Sequence, residues 1–103
     1  MVLLMIDRRN STGAQKRKRI AVIGAGPAGL VTAKTLLEAG AEVVVYEQGS
    51  AVGGTWLGAD HNSRNFIYKN LHINTSKRLT AFEGFPFPED TQVVPDHRDM
   101  ARY

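Results

Sequence analysis

Residues 17–56, RKRIAVIGAGPAGLVTAKTLLEAGAEVVVYEQGSAVGGTW, contain two short apolar runs separated by a segment of different period. The first run, Ile20 to Ile23, is unbroken and stops at a glycine. Such a run predicts a strand buried on both faces, as in a parallel sheet. The second run, EVVVYE, is rich in β-branched residues and ends at Glu47, which predicts a second strand.

The segment between these strands has the period of a helix from Pro27 to Ala39. Its apolar residues fall on one side of that helix; they are Leu30, Val31, Ala33, Leu36 and Leu37. Pro27 suits the first turn, and Gly40 suits the position just past the end. Strand, helix and strand therefore form one βαβ unit of an α/β fold, with a right-handed crossover.

The turn between the first strand and the helix carries glycines in the spacing G-x-G-x-x-G, at Gly24, Gly26 and Gly29. Gly24 permits a tight turn, Gly26 lets the backbone approach a pyrophosphate, and Gly29 lets the helix pack close to the strand. The N-terminus of the helix adds free N–H groups and a partial positive charge, both of which attract phosphate oxygens. This turn therefore predicts a dinucleotide site.

Glu47 indicates which dinucleotide would bind. It lies 23 residues after Gly24, close to the usual spacing for a carboxylate that bonds a ribose 2′-hydroxyl. A carboxylate there would repel a 2′-phosphate, so the site should take FAD or NAD and not NADP. Gly53 and Gly54 follow as E-x5-G-G, an extension similar to the FAD-binding motif of glutathione-reductase-like flavoproteins. FAD is therefore favoured, although the glycine pair alone is also typical of a flexible turn.

Composition limits the remaining classes. The chain has 103 residues, a net charge of +3 and no cysteine, so it holds one domain at most and excludes disulfides and thiolate metal ligands. The three histidines are spaced unlike metal ligands, and no metal site is expected. No segment has the length of a signal-peptide core or a membrane span, which favours a cytoplasmic location. The basic run Lys16 to Arg19 is read as a solvated segment before the first strand, with a nuclear-import or nucleic-acid patch as the alternative.

The first predicted strand divides the chain into two segments. Residues 1–18 are predicted to be a mobile polar and basic lead, and residues 19–103 a partial FAD-binding domain. After Trp56 regularity fades into an irregular segment rich in proline and phenylalanine. Near the end, Asp96 followed by Asp99 is typical of a helix start with an N-cap and an acidic residue three positions on.

From Trp56 onward the chain resembles the flavin-containing monooxygenase family. The elements that carry the likeness are GGTW at 53–56, IYKNLHINTSK at 67–77 and FEGFPFPED at 82–90, in the family's order and approximate spacing. Gly84 stands where the family usually has aspartate. The resemblance implies that Asn74 lies near the flavin ring, as the candidate catalytic residue. It also implies a set of FAD-contacting residues: Gly24, Ala25, Gly26, Pro27, Ala28, Gly29, Glu47, Gln48, Gly53, Gly54, Thr55 and Trp56.

The resemblance further implies an oxidoreductase of the N,N-dimethylaniline monooxygenase type. It would use NADPH and O2 to oxygenate small molecules at soft nitrogen or sulfur atoms, or ketones in a related branch. The family's second glycine-rich motif, for NADPH, does not occur in these residues, so the chain is expected to stop before the NADPH-binding domain and to be inactive alone. Two alternatives remain: a stand-alone nucleotide-binding or regulatory module, and another FAD-dependent oxidoreductase of the same fold.

Overall fold

The computed structural model describes the backbone of residues 2–6 and all of residues 17–58 and 67–103. The chain divides into two compact units, residues 1–54 and residues 55–103. The predicted lead of residues 1–18 contains a strand at Val2–Ile6, for which sequence analysis assigned no element. Residues 7–16 of that lead, including Lys16, lie outside the described residues.

The described residues of the first unit form a three-stranded sheet with one helix. Its strands are β1 (Val2–Ile6), β2 (Arg19–Ile23) and β3 (Glu42–Glu47), in the spatial order β1-β3-β2. Strands β2 and β3 are parallel, with Val22 opposite Val45, whereas β1 is antiparallel to β3. The parallel pair of an α/β protein is therefore confirmed, with strand bounds close to those predicted.

Helix α1 (Pro27–Glu38) connects β2 to β3, as predicted. Gly26 is its N-cap and makes no side-chain capping bond, because glycine has no side chain to offer. Pro27 occupies the first turn, where its missing N–H costs no helical hydrogen bond. At the other end Ala39 is the C-cap, and Gly40 adopts a φ of +85°, the left-handed conformation that stops a helix.

The core of the first unit lies between α1 and one face of the sheet. Its buried residues are Val22, Ala25, Ala33, Val43 and Val45, and the partly buried residues packed against them include Leu30, Leu36 and Leu37. Full burial of a valine such as Val45 contributes about 1.5–3 kcal/mol. The helix face predicted from sequence is thus the one that packs, apart from Val31, which is outside this cluster.

The prediction that β2 is buried on both faces is wrong. Residues Arg19, Ala21 and Ile23 alternate with Ile20 and Val22 and are exposed, and Ile23 has 81% of its surface accessible. The reason is that α1 packs on one face of the sheet and the other face of β2 stays accessible, whereas such an apolar run is typical of a strand with a covering layer on each face.

From residue 67 onward the second unit contains two short helices, α2 (Lys77–Thr80) and α3 (His97–Arg102), joined by irregular chain. The Ser76 side chain caps α2 by accepting a hydrogen bond from the Leu79 amide. Asp96 caps α3, and its amide is bonded in turn to the Asp99 carboxylate, which completes a capping box. The predicted helix start at Asp96 is confirmed.

Candidate functional site

The turn after β2 requires glycine at positions 24 and 29. Gly24 has a φ of +94°, and its amide donates to Tyr46 O at 2.7 Å, so the strand pairing continues up to the turn. A Cβ on Gly29 would lie 2.0 Å from Gly24 O, a clash that no small movement relieves. Gly29 therefore allows α1 to begin directly against the end of β2, as the G-x-G-x-x-G spacing predicts.

The first turn of α1 leaves backbone N–H groups without helical acceptors. The first bond of the helix runs from the Leu30 amide to Gly26 O, at 3.0 Å. The amides of Ala28 and Gly29 precede that bond, and Pro27 has no N–H. These donors carry the positive end of the helix dipole, which favours an anion such as phosphate.

Glu47 lies at the end of β3 and is nearly buried, with 8% of its surface accessible. Its Oε2 accepts a hydrogen bond from the Ala25 amide at 2.7 Å, and its Oε1 accepts one from the Gly49 amide at 2.6 Å. The Ala25 bond, followed by the Gly49 bond, lowers the pKa of this carboxyl below its ordinary value. Glu47 is therefore a fixed negative charge beside the glycine turn at neutral pH.

The glycine pair at 53 and 54 contacts the same turn through its backbone. The Gly53 amide donates to Ala25 O at 2.9 Å. A Cβ on Gly54 would lie 2.8 Å from the Cα of Gly26, and Gly54 also has a φ of +60°. Close approach of two backbones is therefore one reason for glycine at position 54.

The structure brings together, in the first unit, most of the residues singled out from sequence. They are Gly24, Ala25, Gly26, Pro27, Ala28, Gly29, Glu47, Gly53 and Gly54. Gln48 follows Glu47 and is exposed. Thr55 and Trp56 lie in a single helical turn of Gly54–Leu57 and belong to the second unit, as does Asn74.

Asn74 is exposed in the second unit, and the backbone around it is held at two points. The Ile73 amide donates to Pro95 O at 3.0 Å, and the Lys77 amide donates to Val93 O at 2.8 Å. The segment from 73 to 77 is therefore fixed against the segment from 93 to 95, with the Asn74 side chain accessible.

Sequence reasoning missed two residues of structural importance, Gly49 and Lys77. Gly49 bonds the Glu47 carboxylate, and the signal for it was the turn that must follow the end of β3. Lys77 donates from Nζ to Glu89 O at 3.0 Å and to Thr91 O at 2.6 Å. No local pattern predicts these two contacts, because they join residues more than ten positions apart in irregular chain.

The parallel strands, the helix between them and the glycine turn place the first unit in the α/β class, as a partial Rossmann-like unit. A family model described as Flavin-binding monooxygenase-like matches residues 17–103. The chain belongs to this family, which confirms the resemblance seen in its sequence.

Individual relatives agree with this assignment. Flavin-containing monooxygenase 3 of Homo sapiens is 41% identical over 75 residues, which cover 71% of this chain and 14% of the relative. The solved structure of S-allyl-L-cysteine S-oxygenase from Allium sativum is 31% identical, with a TM-score of 0.73 over 85% of this chain and 24% of that one. A flavin monooxygenase from Stenotrophomonas maltophilia, in a Q193R H194T mutant form, is 22% identical with a TM-score of 0.67, over 84% of this chain and 23% of that one, and shows the likeness of fold.

The matched region is a small part of these proteins. The chain spans about one seventh of the length of the curated relative, at 14%, and about one quarter of the Allium sativum structure, at 24%. Within the described parts of the chain, no helix combines the length and the apolarity needed to cross a membrane.

Proposed function

We propose that this chain is the N-terminal FAD-binding portion of a flavin-dependent monooxygenase and that it holds the adenosine diphosphate half of FAD. The whole protein would use NADPH and O2 to oxygenate small molecules at soft nitrogen or sulfur atoms, or ketones in a related branch. When bound, the flavin supplies the redox chemistry, and the protein supplies orientation and electrostatics. This chain alone does not turn over, because it carries one glycine-rich dinucleotide motif and NADPH needs another.

The observation that carries the proposal is the pairing of free helix amides with a fixed carboxylate. The amides of Ala28 and Gly29 suit a diphosphate, while Glu47 retains an unused lone pair on each oxygen for a ribose hydroxyl. An ionised Glu47 also disfavours a 2′-phosphate, which supports FAD over an NADP-type adenosine.

Asn74 remains the candidate residue near the flavin ring. Its accessible amide can donate and accept hydrogen bonds without adding a charge that would perturb the flavin. We place Thr55, Trp56 and Gln48 in the cofactor-binding set on the family resemblance.

Titration of the chain with FAD, ADP and adenosine 2′,5′-bisphosphate tests the proposal. FAD and ADP should bind weakly and reversibly, and the 2′-phosphorylated nucleotide should bind roughly ten-fold less tightly or worse because of Glu47. A Glu47→Gln variant should narrow that difference, and Glu42→Gln, on the same strand, should leave it unchanged. A folded chain that binds none of the three, or that prefers the 2′-phosphate, contradicts the proposal.

NADPH oxidation in the presence of FAD tests the inactivity of the chain. No steady consumption is expected. Stoichiometric retention of FAD with steady NADPH oxidation would show that the chain is a complete enzyme, whereas tight FAD binding without oxidation would favour a stand-alone nucleotide-binding module.

A further inference from the structure

We infer that Glu47 is a positioning residue for the glycine turn, in addition to any contact with a ribose. Its carboxylate holds the backbone of Ala25 and so fixes the turn before a nucleotide binds. The inference rests on the proposed function, since it concerns the same dinucleotide site, and the experiment below separates the two.

The backbone of Ala25 is held from both sides. Its amide donates to Glu47 Oε2 at 2.7 Å, and its carbonyl accepts from the Gly53 amide at 2.9 Å. Ala25 has 1% of its surface accessible and lies between Gly24, with its φ of +94°, and Gly26, the N-cap of α1. A residue fixed at both backbone groups fixes the direction in which the turn enters the helix.

The carboxylate that makes this bond is itself held in place. Glu47 Oε1 accepts from the Gly49 amide at 2.6 Å, so both oxygens are bonded to backbone N–H groups. Hydrogen bonds to an ionised acceptor are shorter and about twice as strong as those between neutral groups. Glu47 is thus bonded to a turn 22 residues away in sequence and to the turn that follows its own strand.

This arrangement divides the amides of the turn between two tasks. The Ala25 amide is occupied by Glu47 and serves the structure of the turn. The amides of Ala28 and Gly29 have no helical acceptor and are left for phosphate oxygens. Glu47 should therefore affect the binding of a phosphate ligand that has no sugar.

Inorganic pyrophosphate is the probe that separates this role from ribose binding. Removing a negative charge near an anion site strengthens anion binding, and loss of a ribose contact leaves pyrophosphate unaffected. A weaker hold on Ala25 lowers the affinity for pyrophosphate. Glu47→Gln weakens that hold, because a glutamine side chain has one acceptor oxygen for the two amides that Glu47 bonds. We expect Glu47→Gln to bind pyrophosphate about ten-fold more weakly than the unchanged chain, by NMR titration. Unchanged or tighter binding by a folded Glu47→Gln overturns the inference.

A matched control is Glu42→Gln. Glu42 begins the same strand and forms an ion pair with Arg19 at 3.0 Å, in which the Arg19 side chain is largely accessible and the Glu42 side chain partly so. The Glu42→Gln variant loses the same charge from β3, but at the end of the strand away from the glycine turn. Its affinity for pyrophosphate should therefore not fall.

A spectroscopic measurement on the unchanged chain tests the inference even if a variant fails to fold. In the unchanged chain, the amide proton resonances of Ala25 and Gly49 should move together, with one midpoint, when Glu47 is protonated in the acid range. Independent or absent movement overturns the inference. If the chain binds neither FAD nor pyrophosphate while the two amides titrate together, the proposed function fails and the hold on Ala25 stands.

Discussion

The ring of Tyr103 stacks on the ring of Phe87, with centroids 3.7 Å apart and an angle of 13° between the planes. The Tyr103 hydroxyl also accepts a hydrogen bond from the Phe82 amide and donates one to Phe85 O. One side chain thus fixes the phenylalanine-rich segment at three positions within the second unit.

The contributions of the Tyr103 ring and of its hydroxyl to stability can be separated by two substitutions. Tyr103→Phe keeps the stacked ring and loses both hydrogen bonds, and should lower the free energy of unfolding of the second unit by about 1–2 kcal/mol. Tyr103→Ala loses the ring as well and should lower it by about 3 kcal/mol or more. Urea unfolding followed by the fluorescence of Trp56, the single tryptophan, measures both. Equal effects of the two variants would contradict a role for the ring.

Lys77 should stabilise the second unit through backbone carbonyls. Lys77→Met keeps most of the apolar stem and loses the bonds to Glu89 O and Thr91 O, and Thr91 is buried. We expect a loss of about 1–3 kcal/mol in the free energy of unfolding, since the carbonyls are left without a charged donor.

Arg78→Met is the matched control for Lys77. Arg78 is the next residue, is exposed, and carries the same charge. Its substitution should change stability by less than about 0.5 kcal/mol. An equal loss in both variants would assign the effect to charge in general and not to the two carbonyl contacts.

Changing Gly26 to alanine and changing Gly29 to alanine should have very different effects on the folding of the first unit. A Cβ on Gly29 would lie 2.0 Å from Gly24 O, so Gly29→Ala should prevent α1 from closing on the turn and unfold the first unit. A Cβ on Gly26 would meet Gly54 Cα at 3.6 Å, an ordinary contact, so Gly26→Ala should fold. Circular dichroism and thermal unfolding of both variants check this; a stable Gly29→Ala would contradict the close packing.

The acid stability of the first unit should depend on Glu47. Its folded pKa lies below its ordinary value of 4.5, because of the bonds from the Ala25 and Gly49 amides. The group therefore contributes stability that is complete above 4.5 and is lost as the pH falls through the lower folded pKa.

Glu47→Gln gives the comparison for that pH dependence. Its unfolding midpoint should vary less between neutral and acid pH than that of the unchanged chain. Asp90 and Asp96, whose pKa values are also lowered, are present in both proteins, so their effects cancel in the comparison. Parallel acid profiles for the two proteins would show that Glu47 is not the group involved.

Sequence predicted the local elements well, because their signals are local. Pro27 and Gly40 marked the ends of α1, and Asp96 with Asp99 marked the start of α3. The strand at Val2–Ile6 was not predicted, since an apolar run of that length has no signal that distinguishes a strand from a disordered end.

The sequence predicted that Glu47 lies close to the glycine turn, but it did not predict the bonds that hold the turn. Spacing placed Glu47 near the glycine turn, yet it could not show that the carboxylate accepts from Ala25 or that Gly53 bonds the same residue. These contacts depend on how the segments around Ala25, Glu47 and Gly53 pack together, and a hydrophobic periodicity in the sequence does not predict such packing.

The contact between Gly54 and Gly26 sets different evolutionary constraints on the two positions. A side chain at 54 would overlap the Cα of Gly26 and would also need an unfavourable backbone angle, so every folded descendant of this chain should keep glycine there. At position 26 the chain itself accommodates a methyl group, so glycine would be required there only by the nucleotide that we propose to bind. A lineage that had given up its cofactor should therefore drift at position 26 while position 54 stays fixed.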